Sequence, residues 1–108
     1  MIDAIVTQID RIVDEERRRA DDEHGQLVSL EEGYGVLAEE VMELGMESSE
    51  ISMDAMNRLL RVIHDDKDGI LLTGHVAHIR DKARLAAAEA VQVAAVCERY
   101  LAIIGRFL

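Results

Sequence analysis

Several residue types that shape folds are scarce in this chain. It has no proline, one cysteine (Cys97), two tyrosines, one phenylalanine and no tryptophan. The absence of proline removes the strongest helix breaker and favours long helices. A single cysteine cannot form an internal disulfide, and no second cysteine is available to help complete a zinc site. The core is therefore expected to be aliphatic, and a reducing cytoplasm is the expected compartment.

Basic residues and long apolar runs are also scarce. Twelve Lys and Arg stand against 22 Asp and Glu, which gives a formal net charge of -10. Phosphate backbones and anionic membranes attract clustered cations, so neither nucleic acid nor membrane is an expected partner. The one basic run, Arg17 to Arg19, is flanked by acids and is typical of a solvated helix face. Acids interrupt the first apolar segment, so neither a signal peptide nor a membrane span is expected.

Apolar residues recur at helical spacing, which predicts one all-α domain over residues 1–108. Ser29 followed by Glu32 forms a capping box that starts the second helix, and Ser48 with Ser49 suggests a break after it. Four helices with short connections indicate a four-helix bundle, with the segment His64–Gly69 as a polar turn. The expected helices cover residues 2–22, 30–48, 52–65 and 73–106.

The first two expected helices each carry an apolar stripe, which is predicted to face the core. Three histidines lie near the polar turn that precedes the last expected helix. They are expected at exposed or boundary positions rather than in a metal site. The stripe of the first helix is Ile2, Ile5, Val6, Ile9, Ile12 and Val13. The arc of the second is Tyr34, Leu37, Val41, Leu44 and Ser48. The histidines are His64, His75 and His78.

One face of the second expected helix is unusually acidic. At about 100° per residue, Glu39, Glu40, Glu43 and Glu47 share one face, beside the apolar arc. Like charges four residues apart destabilise a helix by a few tenths of a kcal/mol per pair. Taken alone, these acids indicate a solvated face, but a bound cation would relieve their repulsion.

Glu89 lies in the middle of the apolar stripe of the last expected helix, with Gln92 at the edge of that stripe. A lone buried carboxylate costs several kcal/mol unless it is paired, protonated or bound to a cation. Two interpretations follow from the spacing alone. Glu89 forms a buried ion pair with an arginine such as Arg11 or Arg61, or it shares a divalent cation with Glu40 and Glu43. Mg²⁺ suits the second, since it takes oxygen ligands.

Two segments together resemble the MazG-like branch of the all-α nucleoside triphosphate pyrophosphohydrolases, in particular its short single-domain members. "EGYGVLAEEVMEL", Glu32 to Leu44, matches the E-E-x-x-E motif of that family. "EAVQVAAVCERYL", Glu89 to Leu101, matches the later E-x-x-D motif in part, with Gln92 in place of the aspartate. The resemblance implies a helical bundle that binds Mg²⁺, or Mn²⁺ in its place, and cleaves a nucleoside triphosphate to a monophosphate and pyrophosphate.

The resemblance also implies roles for particular residues. Glu40, Glu43, Glu89 and Gln92 would ligate the metal, and Glu39 would orient or deprotonate the attacking water. Gln92 brings neither charge nor proton chemistry, so a weakly active or inactive relative that binds a nucleotide or a protein is the alternative. Small bundles often complete their cores across a two-fold axis, so a homodimer or homotetramer is expected. Two cations are candidates for phosphate contacts or for a solvated face, Lys82 and Arg84.

Overall fold

The computed structural model describes residues 1–65 and 69–107, and in that part of the chain the regular structure is helical and no strand occurs. The prediction of an all-α fold is therefore confirmed. The polar turn predicted at His64–Gly69 includes residues 66–68, which lie outside the described residues. In chain order the elements are α1 (Ile2–His24), α2 (Leu30–Ser49), a π-helix (Glu50–Ala55), α3 (Met56–Asp65) and α4 (Gly69–Phe107).

The start of α2 follows the sequence prediction, but its end does not. The Ser29 hydroxyl accepts the Glu32 backbone N–H at 3.0 Å and caps the helix as expected. The predicted break at Ser48 and Ser49 is wrong, because the π-helix joins α2 to α3 without interruption. The Ser52 hydroxyl there donates to the Ser48 carbonyl one turn back, at 3.1 Å, which is compatible with a continuing helix.

The described residues thus form three rods rather than the predicted four helices: α1, the continuous α2–π–α3 helix, and α4. The four-helix bundle is therefore not confirmed in the described part of the chain. The last rod also starts earlier than predicted, at Gly69 instead of Thr73.

α1 runs parallel to α4, and paired side chains along the two helices fix their register. The Gln92 amide donates to Glu16 Oε1 at 3.0 Å, and further along Arg99 Nε donates to Asp21 Oδ1 at 2.9 Å. Arg99 is buried, and its Nη2 also donates to the Gly25 carbonyl at 3.0 Å. This arginine therefore ties the end of α1 and the start of the following loop to α4.

The α2–π–α3 helix runs antiparallel to α4. At one end the Tyr100 hydroxyl donates to the Leu30 carbonyl at 2.7 Å. At the other, Lys82 Nζ lies 2.6 Å from Glu50 Oε2. Between these two points the acidic face of α2 meets the stripe of α4 that carries Glu89.

The buried core is small, and much of the predicted apolar surface is exposed. The chain measures 59 × 29 × 23 Å with a radius of gyration of 18.2 Å, against about 13 Å for a typical compact domain of this length. In the predicted stripe of α1 only Val13 is buried, and Tyr34 and Val41 of the α2 arc are exposed. These stripes would need a further partner for burial. The buried apolar residues are Val13, Leu27, Ala55, Ala95, Val96 and Ile103.

Gly33 allows α2 to approach α4 closely. A Cβ at this position would lie 2.7 Å from two ring carbons of Tyr100, and the hydroxyl of that tyrosine is held by Leu30. We expect Gly33→Ala to lower the free energy of unfolding by about 1–3 kcal/mol through this overpacking. The matched change Gly35→Ala meets no atom within 4 Å and should raise stability by up to about 1 kcal/mol through helix propensity. Urea unfolding of both variants tests this, and a gain of stability in Gly33→Ala would contradict it.

Candidate metal centre

Three carboxylates from two antiparallel helices meet where the middle of α2 crosses α4. Glu40 and Glu43 lie on adjacent turns of α2, and Glu89 faces them from α4. One carboxylate oxygen from each residue lies within 4.8 Å of those of the other two. The contact surface of α2 therefore includes part of its acidic face, beside the half-buried Leu37 and Leu44 of the apolar arc.

Glu89 is the most constrained member of this group. Its Oε2 atom is buried and has no hydrogen-bond partner among the described residues. Burial raises the pKa of Glu89, and a hydrogen bond with the Glu43 carboxyl and the charges of Glu43, Glu40 and Glu47 raise it further. An unpaired buried carboxylate oxygen is costly, and a cation would offset that cost.

The pKa of Glu40 is also raised. Burial of its carboxyl is the largest cause, and repulsion from the charges of Glu43, Glu39 and Glu16 contributes less. Burial and neighbouring negative charge thus both disfavour the ionised forms of Glu40 and Glu89. Oxygen donors from carboxylates are the ligands that Mg²⁺ and Mn²⁺ prefer, so this donor set fits a hard divalent cation.

The ion pair considered for Glu89 is not found. Within residues 1–65 and 69–107, Glu89 has no ion pair with a lysine or arginine, and neither Arg11 nor Arg61 reaches it. Of the two interpretations that the spacing allowed, the geometry favours the shared cation.

Two other candidate site residues, Gln92 and Glu39, lie next to the three carboxylates but differ in their contacts and exposure. Gln92, one turn beyond Glu89, donates its amide N–H to Glu16 on α1. Glu39 is exposed on α2, and its charge acts on Glu40. The structure thus places Gln92 against α1 and leaves Glu39 facing solvent next to the three carboxylates.

The two candidate phosphate-binding cations differ from each other. Lys82 Nζ lies 2.6 Å from Glu50 Oε2 and 3.8 Å from Glu47 Oε2, so it already neutralises acids at the edge of the cluster. Arg84 is largely exposed, and its nearest described acid is Asp81 at 3.9 Å. Lys82 is therefore much closer to the acidic face of α2 than Arg84 is.

Two further acids belong to this region. Glu47 lines a cleft of about 320 Å³ together with Glu43, Met46 and Glu89, and its Oε2 is buried without a hydrogen bond. Helical spacing had placed Glu47 on the acidic face, so the sequence carried that signal. Glu16 reaches the site from α1 and affects the pKa of Glu40. No spacing rule indicates Glu16, because its position depends on how α1 packs against α4.

Comparisons with protein-family models, with curated proteins and with solved structures give no match for this chain. None of the helices in the described part of the chain has the length and apolar content needed to cross a membrane. The functional assignment therefore rests on the carboxylate group and on the two motifs that carry it.

Proposed function

We propose that this protein is a Mg²⁺-dependent nucleoside triphosphate pyrophosphohydrolase, with Mn²⁺ able to replace Mg²⁺. The observation that supports this most is the convergence of the Glu40, Glu43 and Glu89 carboxylates, together with the buried, unpaired oxygen of Glu89. The resemblance of the two motifs to MazG-like enzymes adds the reaction class. Water would cleave the bond between the α- and β-phosphates, releasing a nucleoside monophosphate and pyrophosphate.

The three glutamates are the proposed metal ligands. A bound divalent cation supplies Lewis-acid stabilisation of the charge on the phosphates. Three carboxylates from two rigid helices hold that cation while one side of the group remains accessible to substrate oxygens, because Glu43 is exposed. The high charge of the cluster secures the cation before the nucleotide contributes its own oxygens.

Glu39 is the proposed residue that orients the attacking water and accepts its proton. It is exposed and adjacent in sequence to a proposed ligand, so it reaches solvent without entering the carboxylate group. Gln92 is proposed as a neutral fourth oxygen donor, since its amide nitrogen is the atom bonded to Glu16. Lys82 and Arg84 are the proposed phosphate contacts, and Lys82 would have to exchange its bond to Glu50 for one to substrate.

One observation favours a second candidate, a protein that binds a nucleotide with little or no hydrolysis. Gln92 stands where the resemblance calls for an aspartate, and it is engaged with Glu16 on another helix. Incubation of the purified chain with Mg²⁺ and a panel of ribo- and deoxynucleoside triphosphates separates the two. Release of pyrophosphate supports the enzyme, whereas saturable nucleotide binding without release supports the binding protein.

We further propose that the chain is a homodimer or homotetramer, in which a second copy completes the four-helix bundle. A groove between α1 and α4 is lined by Ile9 and Ile12 and by small side chains of α4, which allow close helix approach. The exposed apolar stripe of α1 adjoins this groove. A two-fold axis at this surface would bury the stripe of each copy against the other copy. The α4 side of the groove consists of Ala87, Ala88, Ala90 and Val91.

Ile9→Asp is expected to convert the oligomer to a monomer, because it places a charge in this groove. Val28→Asp, at an exposed position that does not line the groove, is the control and should leave the oligomer intact. Sedimentation equilibrium measures both. A monomeric wild-type protein, or an Ile9→Asp variant with the wild-type mass, would contradict the proposal.

A further inference from the structure

An open pocket of about 260 Å³ lies between α3 and α4, away from the carboxylate group. The described residues that line it are Arg58 from α3 and Leu71, Gly74, His75 and His78 from α4. Along α4, His78 and Glu89 are eleven residues apart, which corresponds to about 16 Å of helix. That separation places this pocket beyond the phosphate chain of a nucleotide held at the carboxylates.

The described ionisable residues that line this pocket are basic, in contrast to the acidic chain as a whole. The chain carries a formal net charge of -10, yet among the described residues that line the pocket there is no carboxylate. Within the described part of the chain, Arg58, His75 and His78 form no hydrogen bond or ion pair with another residue. A fixed guanidinium and two imidazoles are thus available as N–H donors.

Glu50, a described acid whose charge acts on these groups, already has an ion pair with another residue. Glu50 is close enough to Arg58 and His78 for their charges to influence it. However, Lys82 holds the Glu50 carboxylate at 2.6 Å, one turn along α4 from His78. Within residues 1–65 and 69–107, the Arg58 guanidinium therefore has no ion pair.

The shape and donor set of the pocket favour an anion over a metal. Gly74 keeps one wall open, and a Cβ there would meet no atom within 4 Å. The two histidines alone would be a weak metal site, and the charge of Arg58 repels a cation. A guanidinium that presents paired N–H donors is the side chain best suited to a phosphate.

We propose that Arg58, His75 and His78 form a binding site for a phosphate group, separate from the carboxylate cluster. Arg58 donates to two phosphate oxygens, and one N–H of each histidine donates to the others. The source is a free phosphate or pyrophosphate ion, or the phosphate of a nucleoside monophosphate. This site does not depend on the proposed hydrolase activity.

The test is a titration of the full chain with inorganic phosphate, in a chelating buffer at constant ionic strength. The chelator removes divalent cations, so the carboxylate cluster cannot contribute to binding. The imidazole resonances of His75 and His78 in ¹H–¹⁵N spectra are expected to shift saturably, while those of His24 do not. Parallel titrations with pyrophosphate and with a nucleoside monophosphate show which source binds most tightly.

Arg58→Gln is expected to weaken phosphate binding at least about 10-fold, because a charge-assisted bidentate contact is lost. Arg61→Gln, an exposed change on the same helix that does not line the pocket, is the matched control and should bind like wild type. Gly74→Val narrows the pocket with its charges intact and is expected to reduce the shifts, with helicity checked by circular dichroism. Equal weakening in Arg58→Gln and Arg61→Gln, or no saturable shift in the wild type, would overturn the proposal.

Discussion

Glu43→Gln is expected to lower the rate of pyrophosphate release from a nucleoside triphosphate by at least about 100-fold. Changes to residues that only support a metal ligand typically cost 10–100-fold, so loss of a ligand charge should cost at least as much. Glu43 interacts with both of the other carboxylates, since it raises the pKa of Glu40 and of Glu89. Initial rates with saturating Mg²⁺ and the best substrate of the panel measure the effect.

Two companion variants separate the proposed roles. Glu31→Gln changes an exposed acid in the first turn of the same helix and should retain the wild-type rate. Glu39→Gln should lower kcat while leaving the Mg²⁺ concentration for half-maximal activity nearly unchanged, because Glu39 is proposed to act on water and not on the metal. Full activity in Glu43→Gln would eliminate the proposed mechanism.

Glu89→Gln is expected to stabilise the metal-free protein at neutral pH. Its carboxylate is penalised mainly by burial, and one of its oxygens has no partner. Replacing that charge with a neutral amide should raise the free energy of unfolding by about 1 kcal/mol or more. For a chain of this size such a gain corresponds to roughly 4–8 °C in Tm. Thermal unfolding in a chelating buffer measures the difference.

The pH dependence of this effect has a defined sign. Because the folded-state pKa of Glu89 is raised, the folded chain binds more protons than the unfolded chain between the ordinary pKa and the raised one. The contribution of Glu89 to wild-type stability should therefore fall as the pH rises from its ordinary pKa through its raised one, and the advantage of Glu89→Gln should grow over that range. The pKa values of Asp14, Glu16 and Glu50 are lowered in the folded chain, so these groups make stability rise with pH. Their effect lies at pH values below their ordinary pKa values.

A control on the same helix completes this experiment. Glu98 is exposed on α4, so Glu98→Gln should change stability little and without the same pH dependence. If Glu89→Gln instead destabilised the metal-free protein at every pH, Glu89 would have to be a structural partner and not a site left for a cation.

Local features of the fold could be predicted from the sequence. The Ser29 cap depends on a hydroxyl three residues before the backbone N–H that it accepts, and the structure contains that bond. Helical spacing also grouped Glu40 with Glu43 and set Glu89 on an inward stripe, because both depend only on 3.6 residues per turn. Glu40 and Glu43 contact Glu89 only if α2 and α4 are antiparallel and in the right register. Short connections suggest the antiparallel arrangement, but they do not determine the register.

Long-range packing could not be predicted in the same way. Ser48 and Ser49 suggest a helix end, yet they bond within the helix, and the chain continues through a π-helix. The stripe from Ile2 to Ile12 has the pattern of a buried face, but periodicity does not say whether the partner surface belongs to the same chain. Glu16 directly precedes the basic run that the sequence predicts on a solvated face, and only the docking of α1 brings it to Gln92.

The most direct test of the central claim is a titration of the chelator-stripped protein with Mn²⁺, with free Mn²⁺ followed by electron paramagnetic resonance. The account predicts a saturable site, one ion per chain, that Mg²⁺ displaces and that Glu43→Gln and Glu89→Gln each weaken at least about 10-fold. Glu31→Gln should bind as tightly as the wild type. A wild-type protein with no saturable Mn²⁺ binding, or binding that Glu43→Gln and Glu89→Gln leave unchanged, would contradict the assignment of these carboxylates as a metal centre.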